Sequence, residues 1–331
     1  MPVRASLRPL LTAATALEQR RLARPERRSV AERRADSADD PMQLSNVMTR
    51  VQQIETRDHR IPVSGGQLTV RSYRPQRPVR SSTLRLPVHL FLHGGSFWLG
   101  SVAEYEPLCR WYAATVGCVV VSVEYRLAPE FPYPTAVEDC YAALCWVAEH
   151  AEELEIDGDR LSVGGVSAGG NLAAVVSLLA RDRGGPPIVL QVLEIPVTDL
   201  TLSQPSVDEF AEGHFLTKAS LQEAYGFYLS DPRSASDPYA SPLLAADLAD
   251  LPPAFVLTCE CDPLRDEGEA YARRLSEAGG TVQGYRVPGH VHGSLYLTRF
   301  LPSARRAVAS TCAALTSAYA KNRPDSSFTP A

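Results

Sequence analysis

From about residue 56 the chain alternates short apolar runs with longer amphipathic stretches. Arg60-Ile-Pro-Val and Leu68-Thr-Val-Arg-Ser-Tyr flank Ser64-Gly65-Gly66, which predicts two strands around a tight turn. Val88-His-Leu-Phe-Leu and Val119-Val-Val-Ser-Val are apolar enough to be strands buried on both faces. Further strands are expected at Arg160–Gly164, Val189–Ile195, Phe255–Thr258 and Val282–Val287. Helical spacing predicts helices at Glu104–Val116, Val137–Ala151, Asn171–Arg181, Glu267–Ala278 and Ala304–Tyr319. Strands alternating with helices of this length imply an α/β fold with a doubly wound, mostly parallel sheet. Two regions break the alternation. Residues 1–55 are polar and helical in texture, with Leu7, Leu10, Leu11, Ala14 and Leu17 at helical spacing and Pro25 and Pro41 as punctuation. They read either as a loose tail or as helices packed over the rest. Residues 198–250 interrupt the pattern again, so a helical cap over the sheet's C-terminal edge is expected from both regions. The main domain then runs from 56 to 320, with 321–331 as a tail.

With 331 residues and 45% hydrophobic side chains, the chain can bury one large core. Its 21% charged residues and net charge of −5 suit a globular protein and recommend neither nucleic acid nor an anionic membrane as partner. No apolar stretch reaches the 18 residues of a membrane span, and the segment Leu10–Leu17 is too short and too polar for a secretory signal. The seven cysteines form no C-x-x-C pair, and Cys259-x-Cys261 lacks a second ligand pair at zinc spacing. A reducing, cytoplasmic setting is expected, with no metal. No H-E-x-x-H, P-loop or strand-linked G-x-G-x-x-G is present, so no cofactor is expected either.

The chemistry concentrates at strand ends. Gly165-Val-Ser167-Ala-Gly169 follows a strand and opens a helix. A sharp strand-to-helix turn exposes a serine Oγ above the sheet and demands small flanking residues. The N–H of Ala168, at the helix N-terminus, then points to where an oxyanion would form. His93-Gly94-Gly95-Ser96-Phe97-Trp98 follows an earlier strand, and its glycines allow backbone N–H groups to approach a bound acyl group. An activated serine also needs an acid and a base, in the chain order Ser…Asp…His on this type of sheet. Asp262 stands at the end of the Phe255–Thr258 strand, whereas Asp266 and Glu267 fall in the next helix's first turn and suit its dipole. His290 and His292 both follow the last expected strand, and on this ground either qualifies as the base.

The chain resembles the hormone-sensitive-lipase branch of the α/β hydrolases over about residues 56–300. The likeness rests on His93-Gly94-Gly95, Glu124-Tyr-Arg-Leu-Ala-Pro-Glu130, Gly165-x-Ser167-Ala-Gly-Gly-Asn171, Asp262-Pro-Leu-Arg-Asp-Glu-Gly268 and Gly289-x-x-His292. It implies Ser167 as nucleophile, Asp262 as acid, His292 as base and the N–H groups of Gly95, Ser96 and Ala168 as an oxyanion hole. It also implies a cap built from N-terminal helices and an insertion. Three positions depart from the pattern: Ser96 for a third glycine, Val166 for the usual acidic or small polar residue, and Ser294 for a phenylalanine, which would leave one wall more open. The implied activity is hydrolysis of small, short-acyl carboxylic esters. Alternatives are an amidase, deacetylase or lactonase with the same triad, a non-catalytic small-molecule receptor, or a purely structural α/β protein. Receptors on this fold typically lose the base, and His292 is retained. A small-molecule ester is the expected partner, and oligomerisation stays compatible with the sequence.

Overall fold

A computed structural model describes residues 3–7, 29–38, 43–51, 53–76 and 85–322. Eight strands form one sheet: β1 (Ile54–Val63), β2 (Gly66–Pro75), β3 (Leu86–Leu92), β4 (Val119–Glu124), β5 (Ile156–Val166), β6 (Leu190–Glu194), β7 (Ala254–Cys261) and β8 (Val282–Val291). Their order is β1-β2-β4-β3-β5-β6-β7-β8. β1 and β2 form the expected hairpin and β2 meets β4 antiparallel, while every later pairing is parallel.

Period-two alternation explains how the central strands are buried twice over. Val119, Val121 and Val123 of β4 face one core, together with Val88, Leu90 and Leu92 of β3. Val120 and Phe91 face the other. The first core is filled by α4 (Thr135–Glu149), α5 (Ala168–Asp182) and Tyr271 and Leu275 of α8 (Arg265–Glu277). The second is filled by α3 (Val102–Tyr112) and α9 (Pro302–Lys321). No helix among the described residues is long and apolar enough to cross a membrane. All seven cysteines are free, and only Cys145 is not fully buried.

The irregular regions lie largely where the sequence pattern broke. Between β6 and β7 are α6 (Pro205–Glu209), α7 (Lys218–Tyr228) and two 3₁₀ turns. α7 begins with Thr217, whose Oγ1 accepts from Ser220 N–H in a capping box. From the N-terminal part come α1 (Val30–Ala38) and the single turn α2 (Leu44–Val47). Leu10, Leu11, Ala14, Leu17, Pro25 and Pro41 lie outside the described residues, as does the tail beyond Asn322. Two arginines fix α1 in place. Arg33 pairs with both carboxylate oxygens of Glu223 on α7 at 2.9 and 2.6 Å, and Arg34 donates to the main-chain carbonyls of Trp98 and Ala128 and to Glu130.

One boundary differs with consequence. β8 does not stop near Val287 but continues to Val291, so His290 belongs to the strand and only His292 follows it. The extension is held by pairing of Val291 with Cys261 beyond an irregularity in β7.

His89, on β3, is wholly buried with Nδ1 2.8 Å from Ser162 Oγ. Burial pushes its pKa down to about 3. An unfolded imidazole protonates near 6.5, so below that pH the unfolded chain binds the extra proton and the folded one does not. The contribution of His89 to stability is therefore complete above 6.5 and is lost as the pH falls towards 3. In urea titrations, the stability of the wild type relative to His89→Asn should drop by about 2 kcal/mol between pH 7 and pH 5. A difference independent of pH would contradict burial as the cause.

Candidate active site

The turn from β5 into α5 brings the backbone closer than side chains allow. A Cβ on Gly165 or Gly169 would lie less than 3.0 Å from main-chain atoms of Leu92, and one on Gly169 would also meet the carbonyl of His93. Only glycine lets the elbow seat against the end of β3. Ser167 itself has φ +56° and ψ −115°, an uncommon state for an L-residue that persists where surroundings over-determine it. Those surroundings are explicit. Ser167 N–H donates to the Glu194 carbonyl at 2.9 Å, and its own carbonyl accepts from Asn171 N–H at 3.0 Å and Val197 N–H at 3.2 Å.

Ser167, Asp262 and His292, far apart in the chain, come together. His292 Nε2 lies 3.1 Å from Ser167 Oγ, and His292 Nδ1 lies 2.8 Å from Asp262 Oδ2. The carboxylate can only accept from Nδ1–H while Asp262 is ionised, which leaves Nε2 free to accept the serine proton. Asp262 is 1% exposed and its other oxygen accepts from Leu264 N–H at 2.9 Å, so its orientation is fixed from both sides. Gly293, at φ +74°, turns the chain immediately after His292.

His290 is not part of this cluster. Its Nδ1 and Nε2 each lie 2.8 Å from a hydroxyl, that of Ser294 and that of Ser303 respectively. It ties the end of β8 to the following turn and to the start of α9. Burial pushes its pKa down to about 4.

The His93–Trp98 loop begins against the elbow. Gly95 has φ +126°, Ser96 +55° and Phe97 +67°. Gly95 and Ser96 N–H donate in none of the hydrogen bonds among the described residues, and Ala168 N–H, in the first turn of α5, has no intrahelical partner. These groups are free to meet an anionic oxygen. The loop is braced by the Glu124–Glu130 motif. Tyr125 Oη donates to the His93 carbonyl at 2.8 Å and its ring stacks on the imidazole at 4.1 Å. Ala128 N–H reaches the Phe97 carbonyl, and Glu124 caps α3 through Val102 N–H. His93 is thus a buried scaffold residue, its pKa lowered by burial to about 4.

Glu267 stands in the first turn of α8 as expected and is fully buried there, its Oε1 accepting from Thr198 N–H at 2.7 Å and Asp199 N–H at 3.3 Å. Burial first, then the nearby Asp199 and Asp262, drive its pKa well upward. Asp266 instead accepts from Ser206 N–H, fastening α6. Ser294 uses its buried Oγ to knit the turn through Val291 and His290. Phe215, from the β6–β7 segment, also reaches over Gly293, where an added Cβ would lie 3.7 Å from its ring. Val166 packs in the second core, directly paired across the sheet with Glu194. Glu194 was not singled out by sequence because a lone Glu at a strand end carries no motif.

A family model described as the alpha/beta hydrolase fold matches residues 89–296. The arylesterase of Saccharolobus solfataricus is 42% identical over 243 residues, 73% of this chain and 77% of the relative. The ethyl acetate hydrolase of Pseudomonas putida is 40% identical over 259 residues, 78% of this chain and 77% of the relative. The crystal structure of EstE1, a thermophilic carboxylesterase cloned from a metagenomic library, superposes with a TM-score of 0.83 at 42% identity. That match covers 90% of this chain and 99% of EstE1. The chain therefore belongs to the α/β-hydrolase family, in its hormone-sensitive-lipase-like branch, and is a carboxylic ester hydrolase.

Proposed function

We propose that the chain hydrolyses small, short-acyl carboxylic esters through a Ser167–His292–Asp262 triad and an acyl-enzyme. The observation that carries the reading is the continuous pair of contacts from Ser167 Oγ to His292 and from His292 to Asp262. His292 Nε2 takes the Ser167 proton as Oγ attacks the ester carbonyl. The N–H groups of Gly95, Ser96 and Ala168 receive the oxyanion. The proton passes from His292 to the departing alcohol, and His292 then activates the water that cleaves the acyl-enzyme. Asp262 keeps the imidazole in the productive tautomer and stabilises the imidazolium.

The segment between β6 and β7, with α1, acts in this reading as a cap that limits the acyl pocket. Phe97 stacks on Tyr228 of α7 at 3.9 Å, and Trp98 packs on Phe227 under the Arg33 guanidinium, so bulky rings stand immediately beyond Ser96. The relatives' names, arylesterase and ethyl acetate hydrolase, accord with small substrates. Free, mostly buried cysteines accord with a cytoplasmic setting.

Ser167→Ala should remove esterase activity, by about 10⁶-fold in kcat as for other triads, while a fluorophosphonate labels the wild type at Ser167 alone. Activity of the folded variant near the wild-type level would refute the nucleophile. His292→Ala should lose a comparable factor, whereas His290→Ala should keep most of kcat and lower Tm, because its ring is spent on Ser294 and Ser303. The reverse ranking at saturating substrate would reassign the base. Across p-nitrophenyl esters of graded length, with amide and lactone panels alongside, kcat/KM should peak at short acyl chains. A peak on long-chain esters, or faster turnover of amides or lactones, would overturn the substrate class.

A further inference from the structure

The end of β6 carries a buried carboxyl that the triad does not use. Glu194 is 1% exposed. Its Oε2 accepts from Tyr112 Oη at 2.5 Å and from Tyr296 Oη at 3.4 Å, and its Oε1 accepts from Thr311 Oγ1 at 2.7 Å. The three donors come from α3, from the turn four residues beyond His292, and from α9. Burial raises the Glu194 pKa, and the three hydroxyl donors oppose that shift. A buried carboxyl is costly unless hydrogen-bonded, and both of these oxygens are engaged.

The same residue holds the nucleophile's backbone. Its carbonyl accepts Ser167 N–H, and the segment leaving it returns Val197 N–H to the Ser167 carbonyl. Between them Ile195 sits at φ +44° with its N–H on the Leu257 carbonyl of β7 at 2.6 Å. Both main-chain polar groups of the strained Ser167 thus rest on a segment that starts at Glu194. Across the sheet its register partner, Val166, offers no polar group of its own side chain to anchor the elbow.

We propose that Glu194 is a positioning residue for Ser167: its carboxylate, moored to Tyr112, Tyr296 and Thr311, holds the carbonyl that fixes Ser167, and so keeps Oγ within reach of His292. This role rests on Ser167 being the nucleophile. Tyr296 makes the mooring two-sided, since it lies on the turn that carries His292, so one side chain links the backbone of the nucleophile with the segment of the base.

The test compares Glu194→Leu and Glu194→Gln with the wild type in full-length protein, following steady-state kinetics, fluorophosphonate labelling at Ser167 and Tm. Displacing a reacting group by about 1 Å costs about 10²-fold, so Glu194→Leu should lose about that factor in kcat and in labelling rate with little change in KM. Glu194→Gln, which keeps an acceptor oxygen in the same volume, should recover most of the loss. A group that only stabilises the fold would lower Tm and leave kcat and the labelling rate of folded protein unchanged, and that result overturns the proposal. If Glu194→Leu does not fold, Tyr112→Phe and Thr311→Val replace it. Each should slow labelling, and unchanged labelling in both overturns the role. Loss of labelling in Ser167→Ala checks the nucleophile separately, so failure of that reading and failure of the Glu194 role give different results.

Discussion

The close approach of two backbones, the end of β3 and the elbow between β5 and α5, is the constraint on which the rest depends. Gly165 and Gly169 have no room for a Cβ because the Leu92 carbonyl occupies it. That contact sets Ser167 at positive φ, presents the α5 N-terminus beside it and places the His93–Ser96 loop alongside. Strained backbone must be over-determined to persist, and here β6 supplies the restraint through the Glu194 carbonyl and Val197 N–H. The parallel order β3-β5-β6-β7-β8 then delivers Ser167, Asp262 and His292 from the carboxyl ends of β5, β7 and β8 at one edge of the sheet.

The bracing of the elbow's neighbours is also specific. Tyr125 stacks on His93, Arg126 holds the buried Asp139, and Arg34 reaches back from α1 to the Trp98 and Ala128 carbonyls. A loop whose residues Ser96 and Phe97 both sit at positive φ is unstable in isolation. Its shape is held by groups from the Tyr125–Ala128 segment and from α1, which bond the main-chain carbonyls of His93, Phe97 and Trp98.

How much of this was legible in the sequence follows from how local each signal is. The strands Val88–Leu92 and Val119–Val123 were readable because both faces are buried and every residue but His89 is apolar or small. The elbow was readable because its sterics demand glycine at fixed spacing. The end of β8 was not, because Pro288 and Gly289 read as a break, yet pairing with β7 resumes at Val291 and carries His290 into the strand. The burial of Glu267 was not legible, because a carboxylate in a first helical turn is accounted for by the helix dipole alone. Its burial arises from Thr198 and Asp199, residues far earlier in the chain. Glu194 was invisible for the same reason: its meaning lies in Tyr112, Tyr296 and Thr311, which no local pattern assembles.

The fate of the other histidines has a bearing on how proton movement can be followed. His89, His93 and His290 lie on β3, just beyond it and on β8, and burial holds all three well below the range in which imidazoles usually exchange protons. None is therefore a competing resting place for a proton near neutral pH. Of the imidazoles on the strands and loops that frame Ser167, only that of His292 faces both Oγ and a carboxylate.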